Sequence, residues 1–259
     1  MKIVTAGTAA GSHRYKTLPI MAAGSHGHGV VMKSKDAIPF RGFDERGDVR
    51  IYHHGILPHW RQNGCTYFVT YRLADALPQS VLRELEHERR LWLERHGIDP
   101  DDPHWRTAFA KLAKRDQREY ERHLGVNLNT FLDTGYGACS LRESNIRKIV
   151  VDSLDYFHEV RVLTGDFVVM PNHIHVLLRP LPGFELEDVL QSLKSFTANR
   201  INRLLKAAGV FWQRDSYDHI VRDFEQLEAF REYIRANPVK AKLQPDEFTW
   251  SAASYYPEP

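Results

Sequence analysis

Cysteine is almost absent from this chain: Cys65 and Cys139 are its two examples. Two thiols cannot build a disulfide framework or a thiolate zinc site, so a reducing compartment is expected. A run of about 18 apolar residues is missing, and so is a charged-then-apolar start, which argues against both a spanning helix and export. The sequence therefore reads as a soluble cytoplasmic protein with no membrane partner. An excess of one charge is missing as well, since 35 Lys and Arg oppose 33 Asp and Glu for a net +2. Bulk charge thus announces no nucleic-acid binder, and any such case must come from local residues. What is present is ordinary globular composition, 42% hydrophobic and 26% charged over 259 residues.

Residues 1–55 are rich in Gly, Ala, Ser and Lys and hold no sustained period, so they read as a flexible N-terminal extension, the first ~45 dispensable for folding. His26 and His28 alternate within it, but flanking glycines give them no rigid support. One α+β domain is expected over residues 56–259. Its first core strand is Cys65–Leu73, where β-branched and aromatic residues follow a turn-like Gln62-Asn63-Gly64. Two charged helical stretches, Ser80–His96 and Trp105 to about His123, form a helical insertion at about 80–128, broken by IDPDDPH.

Beyond the insertion, Leu141–Glu159 carries apolar residues at helical spacing. Val160–Met170 and His173–Leu178 are β-rich runs joined at Pro171-Asn172. Glu185–Ala208 is the longest helical pattern, followed by a short strand, Tyr217–Arg222. A last helix opens at Asp223 as N-cap, with Gln226 three residues on, and is expected to stop at Asn237 before Pro238. With the insertion and the final helix set aside, the order is βαββαβ, the split-βαβ or ferredoxin-like pattern.

The sharpest local feature is PNHIHVLL. Strand alternation puts His173 and His175 on one side with Ile174 buried behind, half of a metal site. The second feature is YIRANP, where residues four apart on a helix bring the Tyr233 phenol and the Asn237 amide to one face. Two imidazoles and one neutral oxygen suit a labile divalent ion with open positions that also holds a phosphate oxygen. Taken singly, the histidines also fit a pair on a half-exposed strand, Asn237 a helix end, and Tyr233 a core aromatic.

Between Ser192 and Arg214 lie Lys194, Arg200, Arg203, Lys206 and Arg214, with no acidic residue. That stretch can neutralise phosphates without a high overall pI, and it fits a solvated helix face equally well. Trp212 could stack on a base or sit in the core beside Val210 and Phe211.

PNHIHVLL, followed about 60 residues later by YIRANPVKA, resembles the single-tyrosine HUH transposases, specifically the REP-associated tyrosine transposases. LPHWRQNGCTYFVTYRLAD, GYGACSLRESNIRKIVVDSL, FWQRDSYDHIVRD and WSAASYY extend the likeness over roughly Leu57–Tyr256, interrupted around residues 85–125. The resemblance implies a ferredoxin-like fold whose central strand presents His173 and His175. It implies Tyr233 as the catalytic nucleophile, Asn237 as third metal ligand, and a divalent cofactor such as Mg2+ or Mn2+. It further implies cleavage and rejoining of single-stranded DNA, with hairpin recognition, through a 5′-phosphotyrosine and without a nucleotide cofactor. The DNA-binding set expected beside it is Lys194, Arg200, Arg203, Trp212 and Arg214. A homodimer and nucleoid association when DNA is bound are compatible with it.

Two other functions stay open on the sequence: a domesticated DNA- or RNA-binding protein that no longer cuts, and a metal-dependent nuclease using water with Tyr233 structural. Tyr217, in the polar run Arg214–His219, is the alternative nucleophile but lacks a ligand partner at helical spacing.

Overall fold

A computed structural model describes residues 37–53, 58–132 and 134–257. In chain order the elements are β1 (Ile38–Phe40), β2 (Arg50–His53), β3 (Pro58–Arg61), β4 (Tyr67–Arg72), α1 (Gln79–Arg95), α2 (Trp105–Ala110) and α3 (Lys114–Leu132). After a short 3-10 turn, Ser140–Arg142, come α4 (Ser144–Phe157), β5 (Val162–Val169), β6 (His173–Pro180), α5 (Leu186–Leu205) and β7 (Tyr217–Ile220). The chain closes with α6 (Phe224–Lys240), β8 (Thr249–Ser251) and β9 (Tyr255–Pro257).

The main sheet has the order β7-β4-β6-β5-β8, antiparallel throughout. Counted along β4-α4-β5-β6-α5-β7, the first four of these strands run 4-1-3-2, the ferredoxin-like arrangement that the βαββαβ pattern called for. Strand alternation sorts the side chains. Tyr67, Val69 and Tyr71 of β4 and Ile174, Val176 and Leu178 of β6 join the core under α4 and α5. Phe68, Val168, Met170 and Leu177 face the other way and pack against Leu227 and Ile234 of α6. The sheet is therefore covered on both faces, and α6 lies over the face that carries His173 and His175.

The helical insertion spans Gln79–Leu132, a little wider than expected, and its second stretch divides into α2 and α3. It owns a small core of Trp92, Leu93, Ile98, Trp105, Phe109, Tyr120 and Leu124, while Val81, Leu85 and Leu132 join the main core. Such a satellite core explains how a charged sequence folds here. Its apolar residues are few but cluster on facing stripes.

Two expectations are corrected. Of the extension expected over 1–55, residues 1–36, with His26 and His28, and residues 54–55 lie outside the described residues. Residues 37–53 are instead packed on the domain: β1 pairs in parallel with β9, Ile38 and Phe40 are buried, and Phe40 meets Phe224 edge-on at 5.4 Å. A three-residue strand is too short to show a period, and its partner lies over 200 positions away. Helix α6, for its part, continues through Pro238 to Lys240. A proline in the last turn forfeits one backbone donor, and the turn is still closed by Ala241 N–H to Asn237 O at 3.0 Å. The start of α6 matches expectation, with Asp223 accepting from Gln226 N–H at 2.7 Å, although the Gln226 side chain reaches back to Arg222 N–H.

Candidate metal and nucleophile site

The site is assembled where β6 meets β4 beneath α6. His173 and His175 leave the same side of β6, and their Nε2 atoms stand 2.9 Å apart. Both imidazoles are fully buried. This differs from the half-exposed strand that the pair would also have fitted: α6 and the ring of Phe68, stacked on His175 with centroids 5.5 Å apart, close over them. Burial drives the pKa of His173 down to about 3, and burial, His173 and Lys240 push that of His175 well below its ordinary range. Both rings are therefore neutral, the form in which an imidazole binds a metal.

Outer contacts fix how the rings are used. The Asn172 amide donates through Nδ2 to the carbonyls of Tyr136 (3.0 Å) and Leu132 (3.3 Å), which orients its Oδ1 as the acceptor facing His173 Nδ1 at 2.7 Å. His173 must then carry its proton on Nδ1, leaving the Nε2 lone pair directed at His175. His175 Nδ1 is held at 2.7 Å by Thr70 Oγ1, its direct cross-strand partner in the β4–β6 register. When the Thr70 hydroxyl accepts from Nδ1, the second Nε2 lone pair is exposed to the same point.

The other two expected residues come from α6. Tyr233 lies edge-on to His175, centroids 5.1 Å apart, and edge-on to Phe68 at 5.8 Å. Asn237 follows one turn later and is fully buried, and neither its Oδ1 nor its Nδ2 has a hydrogen-bond partner among the described residues. A buried amide left unsatisfied costs about 1–3 kcal/mol per polar group. Among the described residues no group of three or more His, Cys, Asp and Glu gathers around a point. The two imidazoles meet as neutral nitrogen donors, and Asn237, on the helix that packs over their face, would add a neutral amide oxygen. The residues present therefore fit a divalent ion with open positions.

Lys240, two turns after Tyr233, holds its Nζ 5.1 Å from the Tyr233 ring centre. Tyr217, the alternative nucleophile, pairs with Thr70 across β4 and β7 and packs edge-on to Phe68 at 6.4 Å. Asn172, Thr70, Phe68 and Lys240 were not singled out from the sequence. Asn172 stood inside PNHIH and could have been found there, whereas Thr70 is tied to the site only by strand register.

The expected DNA-binding set divides. Arg200, Arg203 and Arg214 are exposed, with Arg200 lying over the Phe196 ring at 5.5 Å. Trp212 is corrected to a core residue, 4% exposed, packed edge-on against Tyr71 and donating from Nε1 to Thr197 Oγ1 at 2.9 Å. Lys194 is turned inward: its Nζ donates to the carbonyls of Gln213 and Arg214 and to Ser216 Oγ, and burial lowers its pKa to about 8. It ties α5 to the segment entering β7. No helix among the described residues is long and apolar enough to cross a membrane.

Comparison with known proteins adds three findings. Residues 143–237 match the family described as "Transposase IS200 like", a span running from the start of α4 to Asn237. An uncharacterized protein of Haemophilus influenzae is 29% identical over 105 residues, which are 32% of this chain and 57% of that protein, so the match spans little more than half of the relative. Among solved structures, the chain is similar to a REP-associated tyrosine transposase bound to a REP hairpin, at 13% identity and a TM-score of 0.38 over 69% of each chain.

Proposed function

We propose that this protein, whose residues 143–237 match the family described as "Transposase IS200 like", is a metal-dependent transposase-type enzyme that cleaves and rejoins single-stranded DNA, with Tyr233 as nucleophile. The observation that carries this reading is the meeting of two Nε2 atoms, 2.9 Å apart, with the Tyr233 ring edge-on to His175 at 5.1 Å. His173, His175 and Asn237 would hold the divalent ion. When bound, that ion neutralises charge on the scissile phosphate and so makes a phenol of ordinary pKa about 10 a competent attacker.

The chain's own residues supply the rest. Tyr233 forms a new O–P bond as the bond from phosphorus to the 3′-oxygen breaks. The phenol proton is released, and the departing oxygen takes the electron pair and a proton. Energy of the phosphodiester is kept in the tyrosine ester, so rejoining by the reverse step requires no nucleotide cofactor. Phe68, Phe230 and α6 pack around the tyrosine and the histidines and limit the entry of water that would hydrolyse the ester. Asn172 and Thr70 hold the two rings in their ligating tautomers. Phosphates beyond the cut are assigned to the exposed Arg200, Arg203 and Arg214. Hairpin DNA as substrate, a cytoplasmic location with association to the nucleoid, and a homodimer belong to the same proposal.

The test is covalent trapping. Wild type incubated with Mg2+ or Mn2+ and a labelled hairpin carrying single-stranded flanks should give a denaturant-stable adduct on the 5′ end of the fragment downstream of the break. Tyr233→Phe should bind the same DNA and give none, and EDTA should abolish the adduct in wild type. An adduct retained in Tyr233→Phe and lost in Tyr217→Phe would move the nucleophile to Tyr217. Cutting without any adduct would establish a water-using nuclease in its place.

A further inference from the structure

One cleft lies apart from this site, at the β7 edge of the sheet. It is a shallow cleft open to solvent, lined by Phe43, Trp60, Arg118, Asp218, His219, Ile220 and Arg222. These residues come from four places: the segment after β1, strand β3, helix α3 of the insertion, and β7 with the turn into α6. The functional reading above uses none of them.

The chemistry of the lining is specific. Phe43 and Trp60 meet edge-on at 6.5 Å, a half-buried aromatic wall. Lys114 Nζ lies over the Trp60 ring, 4.5 Å from its centre, and a base stacking on that face displaces it toward the phosphate. The acidic neighbour, Asp218, does not oppose an anion there, because Arg61 takes both of its oxygens (2.5 and 3.1 Å) and His59 Nδ1 stands 2.5 Å from the second. The cationic side chains lining the cleft are those of Arg118 and Arg222. His219 adds a polar atom: its Nε2 is buried and has no hydrogen-bond partner among the described residues. A π-surface, guanidinium groups and an unsatisfied ring nitrogen together suit a planar heterocycle bearing a phosphate. An acidic peptide would leave the aromatic wall unused, and an apolar ligand would leave the arginines unused.

We propose that this cleft is a nucleotide subsite for single-stranded DNA, in which a base stacks on Trp60 and Phe43 and its phosphate lies between Arg118 and Arg222. The proposal rests on the reading of the chain as a DNA-processing enzyme and adds to it a place for an unpaired base, which a duplex could not supply. It also gives the helical insertion a task, since Arg118 belongs to α3. Arg222 immediately precedes the N-cap of α6, and Tyr233 follows 11 residues later, about 16 Å along a helix. A strand held in the cleft is therefore anchored at one end of the helix that carries the nucleophile, a few nucleotides from the cut.

The test uses the full chain and an oligothymidylate with a single 2-aminopurine, titrated across salt concentration. Wild type should quench the 2-aminopurine. Arg118→Ala and Arg222→Ala, both changes of solvent-accessible side chains, should each flatten the log-log salt dependence by about 0.7. Trp60→Leu should abolish the quench and weaken binding by roughly 5- to 150-fold, the loss of one base–aromatic stack, with rescue in Trp60→Phe. Unchanged slope, affinity and quench in all of these variants would overturn the subsite, as would equal competition by polyglutamate, which would reduce it to a general anion site. Failure of the functional reading is separable, because that reading is scored by the Tyr233 adduct. An adduct in wild type with indifferent cleft variants removes the subsite alone, whereas weakened binding in the cleft variants without any adduct removes the nucleophile alone. If the oligonucleotide does not bind wild type at all, both fall.

Discussion

Replacing Asn172 by Ala tests whether the outer contacts of the histidine pair carry both fold and metal binding. The Asn172 side chain is 1% exposed and makes three hydrogen bonds, to Leu132 O, Tyr136 O and His173 Nδ1. A net value of about 1 kcal/mol per bond gives a loss of about 3 kcal/mol, since an alanine leaves two carbonyls and one N–H buried without partners. For a chain of this size 1 kcal/mol moves Tm by about 2–4 °C, so the variant should melt about 6–12 °C lower. Metal affinity should fall by about 10–100-fold, because His173 is no longer confined to the tautomer with a free Nε2. Thermal unfolding by circular dichroism reads the first effect and calorimetric titration with Mn2+ the second. Asn172→Asp is the sharper partner: it keeps size and the acceptor for His173 but sets a carboxylate oxygen against the Leu132 and Tyr136 carbonyls, so it should be destabilising while affinity is partly kept. An Asn172→Ala protein with Tm within 1 °C of wild type and unchanged Mn2+ affinity would refute the reasoning.

Three further outcomes follow from the fold. Burial alone would raise the Asp218 carboxyl, yet the contacts with His59 and Arg61 outweigh it and hold its pKa near 2. The stabilisation is thus fully present above the unfolded value of about 3.9 and lost as pH falls toward 2. Asp218→Asn should flatten the acid limb of the stability profile and destabilise the protein at neutral pH, by less than the ~3–5 kcal/mol of a fully orphaned buried charge because Arg61 keeps Glu187 at 2.6 Å; an unaltered acid limb in chemical denaturation would contradict this. Trp212→Ala should destabilise by about 3–5 kcal/mol as a core truncation, while the salt slope of DNA binding measured on folded protein stays at the wild-type value; a flattened slope would return Trp212 to the DNA surface. A truncation starting at Asp44 should lose about 3–6 kcal/mol through the burial of Ile38 and Phe40, read by denaturant titration, whereas wild-type stability would show that β1 contributes nothing.

Much of the architecture was legible because it rests on short-range periodicities. The order βαββαβ, Ile174 turned toward one core with His173 and His175 turned to the other face, and Tyr233 and Asn237 one turn apart all follow from periods of 2 and 3.6. Cap chemistry at Asp223 was legible for the same reason, since a side chain there serves an N–H only three residues away. What local pattern could not contain is whatever depends on a partner far along the chain. The β4–β6 register brings Thr70 to His175 across 105 positions. Helix α6 lands on the histidine face and buries it, and β1 finds β9 at the other end of the domain. Trp212 and Lys194 show the same division: each has the residue type of a DNA contact, and each is spent internally, on Thr197 and on the carbonyls before β7. Residue type and spacing set which chemistry was available at each position. Burial and pairing, which are properties of the packed chain, decided which of those groups face a ligand and which hold the fold together.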